Sequence, residues 1–106
     1  MNITILQTDI QWGRPEENIK QAESLLLSHP GSDLYVLPEM WSTGFATEPQ
    51  GLAEDENSSI SLAWMKQTAQ QQNCAICGSL AVRTTVITRQ VRRIQLLSMK
   101  ASAFFS

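Results

Sequence analysis

The segment Leu34-Tyr35-Val36-Leu37, closed by Pro38, constrains this chain more than any other. A strand with one wet face alternates apolar and polar residues. An unbroken apolar run suits a strand covered on both faces, which is the situation in parallel sheets flanked by helices. Proline has no N–H to give to a ladder, so Pro38 ends the strand, and Asp33 leads into it. A strand is therefore predicted over residues 33–37, and the rest of the chain has to supply parallel neighbours and covering helices.

The flanking sequence offers both. Met1, Ile3, Ile5 and Leu6 make a short β-rich run that predicts a first strand at about residues 2–8. Gly13-Arg14-Pro15-Glu16-Glu17 reads as a helix start, because proline is preorganised for the first helical position and acids favour the positive end of the helix dipole. Ile19, Ala22, Leu25 and Leu26 then form one apolar stripe, with Glu16, Lys20, Gln21 and Glu23 on the wet side, and His29-Pro30-Gly31 stops the helix. From Ser42 to Asn57 small, polar and acidic residues predict no regular element, and a loop of that length in a small domain usually serves function. Ser58 or Ser59 can cap a second helix, with Leu62, Met65 and Ala69 on one face, Ile60, Ala63 and Trp64 beside it, and an end near Asn73. Residues 74–82 are a third apolar run. The order β-α-β-loop-α-β is that of an α/β fold with a largely parallel sheet and crossover helices.

Composition bounds the function. With 106 residues, 42% hydrophobic and 17% charged, the chain can form one modest core of the soluble globular kind. Its apolar runs are far shorter than the roughly 20 residues that cross a bilayer, so no membrane role is expected. The start Met1-Asn2-Ile3-Thr4-Ile5 lacks the basic and long apolar stretches of a secretory signal, which predicts a cytoplasmic protein. Cys74 and Cys77 form a CxxC, but a metal site would need further cysteines or histidines at suitable spacing, and His29 is the single histidine. On a strand the two cysteines point to opposite faces, so they read as reduced and half-buried, and no metal is expected.

Chemistry concentrates at Leu37-Pro38-Glu39, where a carboxylate follows a buried strand at the carboxyl edge of a parallel sheet, the edge at which open α/β folds bind ligands. On spacing alone a catalytic acid and an ordinary loop acid fit Glu39 equally well. The surrounding residues decide. Leu34-Tyr35-Val36-Leu37-Pro38-Glu39-Met40-Trp41-Ser42-Thr43-Gly44-Phe45 resembles the first signature of the nitrilase superfamily of carbon–nitrogen hydrolases. Ile5-Leu6-Gln7-Thr8-Asp9-Ile10 with Trp12 resembles its first strand, Asn18 and Ala22 sit where its first helix begins its apolar face, and Gly78-Ser79-Leu80 resembles its third strand. Leu-Pro-Glu-Met-aromatic followed by Thr-Gly-Phe is most similar to the omega-amidase-like branch.

The resemblance covers residues 1 to about 82. It implies the N-terminal part of a nitrilase-type α-β-β-α sandwich, left incomplete, and a Glu-Lys-Cys mechanism acting on a small omega-amide such as an α-keto acid amide. In that mechanism the cysteine attacks the amide carbonyl, the lysine stabilises the oxyanion and Glu39 is the general base. No cofactor is implied, and a homodimer is implied for the complete protein. Trp41 and Phe45 would wall the substrate pocket as aromatics of this loop do in the family, although packing beneath the loop fits either as well.

After Val82 the pattern changes. Residues 1–82 hold ten acids and three bases, a net charge of −7, whereas residues 83–106 hold five bases and no acid. The family's Asn-Arg strand signature, its lysine motif and its nucleophilic cysteine do not follow; Lys100 and Phe104 lack the accompanying histidine. Cys77 and Cys74 lie on a predicted strand and not at the strand-to-helix turn that activates a cysteine. A truncated or frame-shifted product is expected, family-like over 1–82 with an unrelated basic tail over 83–106, and inactive alone. Two other readings stay open. Val86, Ile87, Val91, Ile94, Leu96 and Leu97 could form a partner-binding strand or short helix. Alternatively, Arg89, Arg92, Arg93 and Lys100 could make a small nucleic-acid-binding module, against which stand the acidic body and the lack of interleaved aromatics, so that no nucleic acid is the expectation.

Overall fold

The computed structural model describes residues 1–44, 54–55, 58–86 and 94–105, with side chains described for 1–44 and 58–80. Strands β1 (Ile3–Ile5), β2 (Leu34–Val36), β3 (Glu54–Asp55), β4 (Ala75–Val86) and β5 (Ile94–Phe105) alternate with helices α1 (Pro15–Ser28) and α2 (Ile60–Gln72). The pairings β1–β2, β2–β4 and β3–β4 are parallel, and β5 runs antiparallel along the whole of β4. This is the α/β architecture expected, with α1 and α2 as the crossovers.

Local chemistry explains the helices. Pro15 opens α1, with Glu16 and Glu17 in its first turn, and Asn18, Ala22 and Leu26 recur every four residues on its buried side. Ser59 caps α2, its hydroxyl accepting from the Leu62 N–H at 3.1 Å, and Asn73 closes it in the left-handed conformation. The predicted face of α2 is largely the buried one, with Met65, Ala69 and Trp64 in the core and Leu62 packed against it, but the helix is turned slightly from expectation. Ser61, Trp64, Met65, Thr68 and Ala69 face inward, while Ile60 and Ala63 are exposed. Trp64 carries far more apolar surface than Ile60 or Ala63, and burying it turns the helix until two small hydroxyl residues come in with it.

Leu6, Ala22, Leu26, Tyr35, Leu37, Trp41, Trp64, Met65, Ala69, Cys74, Ile76 and Leu80 form one core cluster, so both helices pack on one face of the sheet. The register puts Thr4, Tyr35 and Ile76 side by side on that face, and Ile3, Leu34 and Ala75, then Ile5, Val36 and Cys77, on the other. The apolar run of β2 predicts cover on both faces, and the described residues provide it on the helix side; Leu34 and Val36 are half-buried and Ile3 and Ile5 exposed. A sandwich has a second layer on such a face, and the incomplete sandwich that the resemblance implies would leave this face without one.

Three elements differ from expectation. Strand β1 is shorter than 2–8 because its pairing with β2 spans Ile3–Ile5, although the Leu6 N–H still donates to the Val36 carbonyl at 2.9 Å. Strand β3 lies inside the segment expected to be irregular. Strand β4 passes residue 82 to Val86, and residues 94–105 are a strand.

Candidate active site

Glu39 lies three residues past the end of β2, outside any helix and exposed to solvent, at the carboxyl edge of the parallel strands. Beside it, an apolar groove of about 510 Å³ is lined by Ile5, Leu6, Gln7, Leu37 and Pro38, the residues that close β1 and β2. Pro38, which precedes Glu39, belongs to that lining.

The turn behind Glu39 is held from several sides. Leu37 extends the sheet by one bond, its N–H donating to the Cys77 carbonyl at 2.8 Å. Met40 then takes a φ of 52°, a left-handed conformation uncommon for a residue with a side chain. Its N–H donates to Ser79 Oγ at 2.9 Å, and its carbonyl accepts the Gly44 N–H at 2.8 Å. The Gly13 N–H donates to the Thr43 carbonyl at 2.9 Å. Asn18 is buried and uses its carboxamide three times: Oδ1 accepts the Gln11 N–H at 2.8 Å, and Nδ2 donates to the carbonyls of Gln11 and Ser42 at 2.8 and 2.7 Å. Gly44, at φ 76°, lies against the Trp12 ring, where an added Cβ would come within 2.8 Å of Cδ1.

Trp41 is 1% exposed. Its ring centroid is 5.2 Å from that of Trp64, tilted by 51°, and it presses on Gly78, whose hypothetical Cβ would be 2.8 Å from Trp41 Cδ1. Trp41 is thus packed into the core beneath the turn. Phe45 lies outside the described residues.

The cysteines are free, Cys74 buried and Cys77 half-buried. Burial pushes the Cys74 thiol above its ordinary range, the reverse of activation. Lys100 is opposite Leu80 in the β4–β5 ladder. Among the described residues no three His, Cys, Asp or Glu side chains gather as metal ligands, and no helix is long and apolar enough to cross a membrane. Sequence reasoning overlooked Ser79 and the anchoring role of Asn18. The signal for Asn18 was a carboxamide on the apolar side of an amphipathic helix, which has to find partners there; Ser79 carried none.

The profile of the carbon-nitrogen hydrolase family matches residues 2–102. The chain is 40% identical over 83 residues to the 2-oxoglutaramate amidase of Bacillus subtilis, covering 76% of this chain and 32% of that protein. It is 37% identical over 86 residues to the omega-amidase YafV of Escherichia coli, covering 79% and 32%. Among solved structures it superposes on a CN-hydrolase superfamily protein from Xanthomonas campestris, crystallised with an arsenic adduct in its active site, with a TM-score of 0.72, 29% identity, and coverage of 93% of this chain and 39% of the other. It shares its fold with an N-terminal amidase at a TM-score of 0.65, 16% identity, and coverage of 94% and 28%. The chain thus spans about a third of the length of the curated relatives it matches.

Proposed function

This chain belongs to the carbon–nitrogen hydrolase family, and from that premise we propose that the complete protein hydrolyses the terminal amide of a small omega-amide such as an α-keto acid amide, with Glu39 as its general base. The observation that carries the reading is an exposed carboxylate at the carboxyl edge of the parallel strands, on a turn pinned by hydrogen bonds from both flanking segments. The similarity to two omega-amidases supports the substrate class.

The proposed chemistry is a Glu-Lys-Cys cycle. Glu39 takes the thiol proton of a cysteine, and the thiolate adds to the amide carbonyl carbon. A lysine faces the oxyanion of the tetrahedral adduct. The C–N bond breaks as Glu39 returns the proton to the departing ammonia, leaving a thioester. Glu39 next takes a proton from water, whose hydroxide displaces the thiolate to give the acid, and the proton restores the thiol. The lysine and the cysteine have no matching motif in residues 1–106, so the chain alone should be inactive. Phe45 is proposed as a pocket wall and Trp41 as the packed support beneath the pocket. A homodimer and a cytoplasmic location are proposed for the complete protein. From the loss of acids after residue 82 we also propose that residues 83–106 are read from a shifted frame; family motifs in another frame of the DNA beyond codon 82 would support this, and their absence would count against it.

The direct test is Glu39→Gln in the complete enzyme, assayed on a glutaramate-like amide. The amide keeps the shape of the side chain but cannot take the proton, so kcat should fall by about 10²–10⁴-fold with KM little changed. Glu48→Gln, in the following segment, should stay within a few-fold of wild type. Equal effects of the two would make Glu39 an ordinary loop acid, and Cys77-dependent turnover by the 106-residue chain would refute its inactivity.

A further inference from the structure

We propose that Ser79 is a positioning residue for Glu39, fixing the peptide that joins Glu39 to Met40; the inference rests on Glu39 being the general base. Where β2 ends, the neighbouring edge of β4 loses its strand partner, and the turn 39–44 takes that place. Ser79 Oγ accepts the Met40 N–H at 2.9 Å across 39 residues of sequence, in a partly buried setting. The bond is made to the residue directly after Glu39.

The geometry makes that bond consequential. Met40 is held at φ 52°, and a residue with a side chain stays in the left-handed region when its surroundings impose it. On one side the Gly44 N–H grips the Met40 carbonyl; on the other Ser79 grips the Met40 N–H. Without the Ser79 hydroxyl, the peptide between Glu39 and Met40 can rotate toward an ordinary φ, and the direction in which the Glu39 side chain leaves the turn rotates with it. A general base has to sit within hydrogen-bond reach of the proton it takes, and a displacement of about 1 Å can cost about 10²-fold in rate. The distant anchors, Asn18 on Ser42 and Gly13 on Thr43, hold the far end of the turn and leave this peptide free to rotate.

Two measurements test the proposal. In the 106-residue chain, Ser79→Ala should speed hydrogen exchange of the Met40 amide at least tenfold while the amides of β2 keep their protection, and Ser79→Thr, which keeps the hydroxyl, should restore it. Unchanged exchange at Met40 would overturn the proposal without reference to catalysis. In the complete enzyme, Ser79→Ala should lower kcat about 10–100-fold with KM within threefold, Ser79→Thr should recover most of it, and Ser79→Ala should add nothing in a Glu39→Gln background. A further loss in that background, equal to the loss in wild type, would show that Ser79 acts independently of Glu39 and sink the inference. Full activity of Glu39→Gln is a separate signature: it would remove the general base, and the positioning role with it.

Discussion

At the residue scale, two cysteines three apart behave differently because of where their backbone sits. Cys74 precedes β4 and packs into the core cluster, whereas Cys77 lies within the strand on the face away from the helices. The thiolate is the reactive form, and burial disfavours it at Cys74, so two causes, access and ionisation, both slow this thiol. Alkylation of the native chain by iodoacetamide near neutral pH should therefore label Cys77 first, with Cys74 reacting on the timescale of unfolding. Peptide mass spectrometry over time checks this, and equal rates would refute the packing described for Cys74. The stability consequence has a definite sign. An acid whose pKa is raised by folding stabilises the native state at pH below the unfolded value, and this contribution is lost as pH rises through the folded value. Alkaline conditions, not acidic ones, should expose the weakness of Cys74.

Among the elements, the contact between β4 and the Glu39 turn is the tightest fit. Gly78 has no unusual φ, so its requirement is space: Trp41 Cδ1 and Leu37 Cβ would lie 2.8 and 3.3 Å from an added methyl group. Trp41 is fully buried against Trp64 and cannot swing away, so Gly78→Ala should force β4 and the turn apart and cost about 1–3 kcal/mol, read as a lower urea midpoint with an unchanged slope. A midpoint equal to wild type would mean that the Trp41 layer is loose. This contact also shows what the sequence could and could not tell. The strand Leu34–Val36, both helices and the start of β4 were legible because apolar spacing, Pro15, Ser59 and Asn73 each act locally. So was the placement of Glu39, since Pro38 has to end the ladder. Strand β3 was not, because Glu54 and Asp55 join the sheet through backbone pairing with Val82 and Arg83 and carry no apolar pattern. The extension of β4 was missed, and a strand in the region of β5 was only one of the open readings, for a related reason: a ladder from Ala75↔Phe105 to Val86↔Ile94 is set by register between distant residues, and composition suggested a foreign tail. The Ser79 to Met40 bond, 39 residues apart, had no sequence signature at all.

For the molecule as a whole, the consequence of a partial sandwich is an apolar sheet face that the two helices do not cover. The chain's radius of gyration is 14.8 Å, against roughly 13 Å for a compact domain of this length, and its longest extent is 51 Å, in keeping with an antiparallel pair of twelve-residue strands that can each reach about 40 Å. On the face away from the helices, Ile3 and Ile5 are 56% and 76% exposed, and they belong to β1, an edge strand with one side of its ladder open. Exposed apolar edge strands invite pairing with another copy. The 106-residue chain should therefore self-associate as its concentration rises, which sedimentation velocity can measure. Ile5→Lys places a charge where the side chain already faces water, so it should shift the association toward monomer by about tenfold or more while leaving the melting temperature within a few degrees. Tyr35→Lys is the contrasting substitution. Tyr35 is 1% exposed, its hydroxyl donating to the His29 carbonyl at 2.6 Å, and a charge there should unfold the chain. If Ile5→Lys destabilised the fold as Tyr35→Lys does, Ile5 would be covered in solution and the face described as open would not be open. If it left both association and stability unchanged, self-association would have to run through another surface, and the long outer edge of β5 would be the next place to put a lysine.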